Sequence, residues 1–241
     1  MTRFVGIDFF DSQPIEKVIK KITTAEFEYV ITPNVDHVIS FHEAHKNSYR
    51  SAITEATTIL CDSKILRLLS IFFSRNNIIK NVIPGSDLCA KMLEKYPTEM
   101  GIVSIIGGQP GDLEYIHKLY GIEKGLQVIP SYGFINNDGE ITKIVDIFVN
   151  CNFDTLLVCV GSPQQELVTS KIINKKKKGV YLCLGASLDF ILGRESRAPK
   201  WMQKISLEWF YRFIVSPRRM FKRYFVRGLK IISIVITKRN N

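Results

Sequence analysis

No window of the chain holds the roughly eighteen uninterrupted apolar residues that a bilayer-crossing helix needs. The best candidate, Leu229 to Ile236, is eight residues long and contains Lys230. The opening MTRFVGIDFF has one Arg and no long apolar run, so no signal peptide is expected. The five cysteines are odd in number and widely spaced, with no CxxC and no Cys/His pair at zinc spacing, which argues against a disulfide framework and a structural zinc. Cys61, Cys159 and Cys183 sit in apolar runs, as buried free thiols do. His37, His42, His45 and His117 fit no metal template and read as surface or structural residues. GxGxxG, P-loop and GxSxG motifs are all missing, which removes support for dinucleotide binding, a Walker site and a hydrolase triad. A reduced, cytosolic chain with no metal and no cofactor is the expectation.

What is present is ordinary in amount and uneven in placement. Hydrophobic residues at 46% and charged residues at 23% of 241 suit a globular body, and the length allows one domain with an appendage. The formal net charge is +10. Residues 194–241 carry thirteen Lys/Arg against two Asp/Glu, a net of +11, so residues 1–193 sum to about −1. A near-neutral body over 1–193 and a cationic appendage over 194–241 are therefore expected.

Within the body, short apolar runs alternate with segments of helical spacing. Strands are expected at 27–32, 57–61, 101–106, 126–130, 155–160 and 179–184, with helices at 35–47, 64–73, 87–96, 112–120, 141–149 and from 163 to about 175. Continuous apolar strands alternating with helices predict an α/β fold, a Rossmann-like parallel sheet flanked by helices. Such sheets bind ligands beyond the carboxyl ends of their strands. The residues to watch therefore follow the strands: Thr32-Pro33-Asn34, Asp62, Gly107-Gly108, Tyr132-Gly133, Gly161-Ser162 and Gly185-Ala186-Ser187.

Each candidate has a plain reading and a functional one. Asp62 closes the run TTILC, as a helix cap or as a general base. Thr32 and Asn34 bracket Pro33, to shape a turn or to hydrogen-bond a polar ligand. Gly107-Gly108 and Gly161-Ser162 are glycine turns that relieve crowding or expose N–H groups to a phosphate or sugar. Gln164, Gln165 and Glu166 open the next helix, where Glu166 suits the helix dipole and the trio could instead read a nucleobase or sugar.

In the tail, Ser216-Pro217 is a good helix start. It separates a helix near 200–215 from one running on from Pro217. In the latter Phe221, Phe225, Leu229, Ile232 and Ile236 recur at three- and four-residue spacing, beside Arg219, Lys222, Arg223, Arg227 and Lys230. A basic amphipathic helix of this kind reads as a contact with an anionic membrane surface. Packing against the body and binding nucleic acid are the rivals, and the run from Leu229 to Ile236 is too apolar to favour nucleic acid. A non-catalytic membrane or nucleic-acid adaptor stays open on these residues alone.

Several segments resemble the WecG/TagA/CpsF family of bacterial glycosyltransferases. GSPQQE at Gly161 to Glu166 is similar to the family's GxPKQE. Residues 184–217, LGASLDFILGRESRAPKWMQKISLEWFYRFIVSP, are similar to GGxxDxxxGxxxRAPxxxxxxxLEWxYRLxxxP. Weaker matches are TPN at Thr32 to Asn34, Asp62 in the family's ADG, and PGSDL at Pro84 to Leu88. The resemblance implies a hexosyltransferase, inverting and metal-independent. It would move an N-acetylmannosamine-type sugar from a UDP-sugar to a polyprenyl-diphosphate-linked GlcNAc-type acceptor in cell-surface polysaccharide or teichoic acid synthesis. The enzyme would be peripheral on the inner face of the cell membrane, with homo-oligomerisation left open and no nucleic-acid partner. By the resemblance Asp62 is the base with Thr32 and Asn34 beside it. Gln165 and Glu166 line the donor pocket, and Gly107, Gly108 and Gly161 are substrate-binding candidates from their glycine turns. Arg212, Arg219 and Lys222 meet the diphosphates, and Phe221, Phe225, Arg223 and Arg227 are the membrane contacts expected from the amphipathic pattern. Ser63 and Ala186 stand where the family has glycine, and Gln164 where it has lysine.

Overall fold

Runs rich in β-branched and aromatic residues, closed by glycine or polar turns, become the strands, and the 3.6-periodic segments between them become the helices. The computed structural model describes residues 1–43, 47–74, 76–196, 198–199, 201–202, 207–221 and 227–238, with positions 208, 209, 212, 219 and 220 described by their backbone. The chain opens with an antiparallel hairpin, β1 (Thr2–Phe4) and β2 (Ile7–Phe9). It turns at Val5 and Gly6, both with positive φ, as a two-residue hairpin turn requires. Three-residue strands are too short to show a period, and the sequence pattern does not reveal them.

Next come α1 (Ile15–Thr23), β3 (Phe27–Ile31), α2 (Val35–His42), α3 (Asn47–Thr54), β4 (Thr58–Ile59), α4 (Lys64–Phe73) and α5 (Gly85–Lys95). The middle of the chain gives β5 (Ile102–Gly107), α6 (Asp112–Tyr120), β6 (Glu123–Val128), α7 (Asp138–Asn150), β7 (Thr155–Cys159), α8 (Gln164–Ile173), β8 (Gly179–Cys183) and α9 (Ser187–Ile191). The tail contributes α10 (Glu208–Val215), α11 (Pro217–Phe221) and α12 (Lys230–Lys238).

Strands β3 to β8 form one parallel sheet in the order β4-β3-β8-β7-β5-β6, so the expected α/β class holds. Alternate residues feed two apolar layers. Tyr29, Ile31, Leu156, Val158 and Tyr181 pack with α2, α3, α7 and α8, whereas Val30, Leu60, Val103, Leu157 and Leu182 pack with α1, α5 and α6. Each layer takes apolar area from water at about 25 cal/mol per Å², and together they fix the register that aligns the strand ends.

Two expectations about helices need correction. The segment expected as one helix over 35–47 closes at His42, and α3 begins at Asn47. The helix expected to run on from Pro217 is broken before Lys230, where a turn at Gly228 and Leu229 precedes α12. Glycine costs about 1 kcal/mol in a helix interior, which favours the break there. The break also resets the faces. Ile231 and Val235 point into the body's core beside α2 and α4, and Leu229, Ile232 and Ile236 face outward. Among the described residues no helix is long and apolar enough to cross a membrane.

Candidate active site

Strands β3 and β8 are parallel neighbours whose chain connections lie on opposite sides. β3 runs out to β4 at one edge, and β8 is reached from β7 on the other side. Parallel sheets hold ligands at such a reversal, beyond the carboxyl ends of the strands. A cleft of about 710 Å³ lies there, lined by residues that follow β3, β4, β7 and β8. The helices α2, α5 and α8 all begin at its walls, with Asn34, Gly85 and Gln165 among the lining residues. Helix N-termini carry partial positive charge and unsatisfied N–H groups, so three of them at one cleft make it suited to an anionic ligand.

Asp62 is in this cleft. Its backbone N–H donates to Pro33 O at 3.0 Å, and its Oδ1 accepts from the Gly85 N–H at 3.2 Å. The helix-cap role that Asp62 could have played falls to Ser63, whose Oγ accepts from Leu66 N at 3.2 Å. Ser63, where the resembling motif has glycine, thus begins α4 and leaves the carboxylate of Asp62 on the cleft side. Cys61 behind it is no nucleophile, because burial pushes its thiol up to about 12.

Thr32 is in the wall and buried, with the start of α5 close against it. A Cβ on Gly85 would lie 2.7 Å from Thr32 Oγ1 and 3.4 Å from Ser187 Oγ. Only glycine lets the α5 N-terminus approach the Thr32 hydroxyl this closely. This requirement joins positions far apart in sequence, and nothing in PGSDL itself signals it.

Asn34 lines the cleft and caps α2. Its Oδ1 accepts from Asp36 N at 3.0 Å, and its backbone N–H meets His37 Nδ1 at 3.3 Å. The other ring nitrogen, Nε2, lies 3.3 Å from Glu166 Oε1. Glu166 is fully buried and also accepts from Gln165 Nε2 at 2.7 Å. Gln165 in turn accepts the Gly185 N–H through Oε1 at 2.8 Å. Of the expected pair, Gln165 is in the cleft wall and Glu166 lies behind it. The first turn of α8 drives Glu166 inward against the sheet, where it orders His37 and Gln165. His37, read from the sequence as a surface or structural residue, lines the cleft.

Gly161 lines the cleft with φ +75° and open space where a side chain would go. Gly107 and Gly108 do not line it. A Cβ on Gly107 would sit 2.7 Å from the Cys159 carbonyl oxygen, and one on Gly108 2.6 Å from the Asp112 carboxylate. Their glycines serve close strand and loop packing, the plain alternative read from the sequence.

The tail reaches the cleft through residues not expected to do so. Arg227, assigned to the membrane by the sequence, lines the cleft with Lys230. Arg227 donates to Ser40 Oγ at 2.5 Å and lies 3.6 Å from Glu43, while Lys230 is 3.4 Å from Glu43. The turn before α12 directs both cations back over α2. Arg212 and Arg219 fall on α10 and α11, and their side chains lie outside the described positions. Lys222, Arg223 and Phe225 lie outside the described residues. Phe221 ends α11 and is exposed. Among the described residues, no three His, Cys, Asp or Glu side chains gather as a metal site would need.

The motif residues after β8 build a brace. Arg194 makes a bidentate bond to Asp112 at 2.6 and 2.8 Å and donates to Asp189 at 2.8 Å. Burial disfavours the Asp112 charge, but the guanidinium and the Gln109 N–H outweigh it and hold the carboxyl below the usual range. The brace ties the loop after α9 to the start of α6.

These motifs extend to the whole chain in comparison with known proteins. The model of the glycosyl transferase WecG/TagA/CpsF family matches residues 3–241. Two relatives carry the name N-acetylglucosaminyldiphosphoundecaprenol N-acetyl-beta-D-mannosaminyltransferase. The one from Bacillus subtilis is 24% identical over 215 residues, covering 88% of this chain and 78% of its own. The one from Bacillus spizizenii is 24% identical over 220 residues, covering 88% and 82%. With a strand-end carboxylate set among helix N-termini and a family match over almost its full length, the chain belongs to the WecG/TagA/CpsF family of glycosyltransferases.

Proposed function

We propose that the chain transfers an N-acetylmannosamine-type sugar from a UDP-sugar to a polyprenyl-diphosphate-linked GlcNAc-type acceptor, with inversion and without a metal. The observation that carries this reading is Asp62, held by the Gly85 N–H at the mouth of a cleft walled by three helix N-termini. The names of the two relatives support the sugar and the lipid-linked acceptor.

Asp62 takes the proton of the acceptor hydroxyl, and that oxygen attacks the anomeric carbon of the donor. The bond from that carbon to the UDP oxygen breaks on the opposite face, and its electron pair leaves with UDP, so one displacement inverts the centre. A general base in this position contributes about 10²–10⁴-fold. The leaving diphosphate gains charge, which the N-termini of α2, α5 and α8 and the nearby Arg227 and Lys230 can offset. Arg212, Arg219 and Lys222 are assigned to the acceptor diphosphate on the tail side. Residues 194–241 serve as a docking appendage for the cytoplasmic face of the membrane, which brings the lipid-linked acceptor to Asp62. No separate cofactor takes part.

The test is UDP release from a panel of UDP-sugars with a GlcNAc-diphosphate-lipid analogue, analysed for the anomer formed. Release only with a donor of the proposed class, with inverted product and with chelator present, is expected. Release that needs an added divalent cation overturns the metal-independent reading.

A further inference from the structure

Among the described residues, the outward face of α4 is left exposed. Leu66 and Ser70 are buried on one side of this helix, while Leu68 and Ile71 are each 41% exposed and Phe72 is 78% exposed. Three large apolar side chains on one short exposed helix are more than scattered surface hydrophobics. The helix begins at Lys64, two residues after Asp62, so it runs outward from the cleft. Beside it α12 packs on α2 and α4 and begins at Lys230, which also lines the cleft. It too leaves Leu229, Ile232 and Ile236 exposed.

The two segments that build this face carry charge of one sign, and the acid Glu43, at the end of α2, is set beside them against Arg227 and Lys230. Between Asp62 and Asp87 there is no Asp or Glu, and Lys64, Arg67, Arg75 and Lys80 are the charged residues. From Arg227 to Lys238 there is again no acid, and three cations. Protein–protein interfaces deplete lysine and balance their charges. An apolar surface whose own segments carry cations and no acid suits an anionic bilayer, where each Lys or Arg near the surface contributes about 1 kcal/mol.

We propose that α4 is a second bilayer-contact surface, continuous with α12, and that it sets the cleft at the membrane plane. The proposal rests on the lipid-linked acceptor of the proposed reaction. It adds that the body, and not the tail alone, bears on the lipid. With one contact on the tail the body could pivot about it. A second, beginning beside Asp62, presents the base to an acceptor diphosphate still anchored in the bilayer.

The test is cosedimentation of the full chain with phosphatidylcholine vesicles, with and without phosphatidylglycerol. The variant Leu68→Ser/Ile71→Ser/Phe72→Ser is compared with the wild type, and Arg67→Glu is a second probe. Both change exposed side chains, so native unfolding curves are expected. The wild type is expected to pellet with the anionic vesicles. The triple variant should bind them about tenfold more weakly, about 1.4 kcal/mol, while UDP release with a water-soluble acceptor analogue stays unchanged. Arg67→Glu should weaken binding most at low salt. Equal pelleting of wild type and triple variant overturns the proposal. So does a triple variant whose pelleting is unchanged but which sediments as a smaller species, since the face would then belong to a second copy of the chain. Failure of the wild type to release UDP with the soluble acceptor counts against the proposed reaction instead, whatever the vesicles show.

Discussion

Gly85 donates its backbone N–H to the Asp62 carboxylate across 3.2 Å, so the start of α5 and the end of β4 are set by one contact. The same glycine lies against Thr32 and Ser187, where a Cβ would come within 2.7 Å of the threonine oxygen. In an open helix Gly→Ala stabilises by about 0.5–1 kcal/mol. Here the buried threonine cannot yield, and the clash decides the sign. Gly85→Ala is expected to lower stability by about 1–3 kcal/mol in urea unfolding. Its kcat should fall more than its KM changes, because Asp62 moves with α5. An alanine variant as stable and as active as the wild type removes this contact from the account.

Glu166 supports the cleft from behind through His37 and Gln165. Glu166→Ala leaves two buried polar groups short of a partner and is expected to cost about 1–3 kcal/mol. Glu166→Gln keeps the shape and at least one bond, so its midpoint in denaturant should lie between those of the wild type and the alanine variant. Equal midpoints for all three would show that the buried carboxylate orders nothing.

The Asp112–Arg194 brace gives a pH signature. Its carboxyl is held below the usual range in the fold, so the folded state binds this proton less readily than the unfolded chain does. The stabilisation is therefore present above the unfolded value, about 3.9, and is lost as pH falls through the folded one. Arg194→Met is expected to be less stable than the wild type at neutral pH. The gap should narrow on acidification below about pH 4. A gap independent of pH in urea titrations would contradict the pairing.

The strand ends were legible in the sequence because each buried strand is a continuous apolar run with an abrupt polar or glycine exit, and TTILC before Asp62 is the plainest case. What the sequence hid depends on long-range placement. Glu166 looked like a helix-dipole residue or a ligand contact, and its burial follows from how α8 packs on β8. Arg227 lay on a regular basic stripe, and the turn at Gly228 takes it off that stripe and into the cleft. The pairing of glycine with a crowded wall separated Gly107 and Gly108 from Gly161 only once their neighbours were known.

Arg227 and Lys230 both face Glu43 at the cleft. Partly exposed pairs of this kind contribute about 0–1 kcal/mol to folding, so Arg227→Gln/Lys230→Gln should unfold almost as the wild type does. Its KM for the diphosphate-bearing substrates is expected to rise about tenfold, a loss of about 1.4 kcal/mol of binding. Steady-state kinetics with each substrate varied in turn checks this. An unchanged KM for both would place the two cations outside the binding surface.

The proposed transfer turns on Asp62 as the base. The direct measurement is UDP release by Asp62→Asn, with the lipid-linked acceptor analogue and the donor that the wild type uses, alongside its thermal unfolding curve. Asparagine can still accept the Gly85 N–H and cannot take the acceptor proton. A native unfolding curve and turnover lowered by about 10²–10⁴-fold are expected. Turnover near that of the wild type would contradict Asp62 as the base.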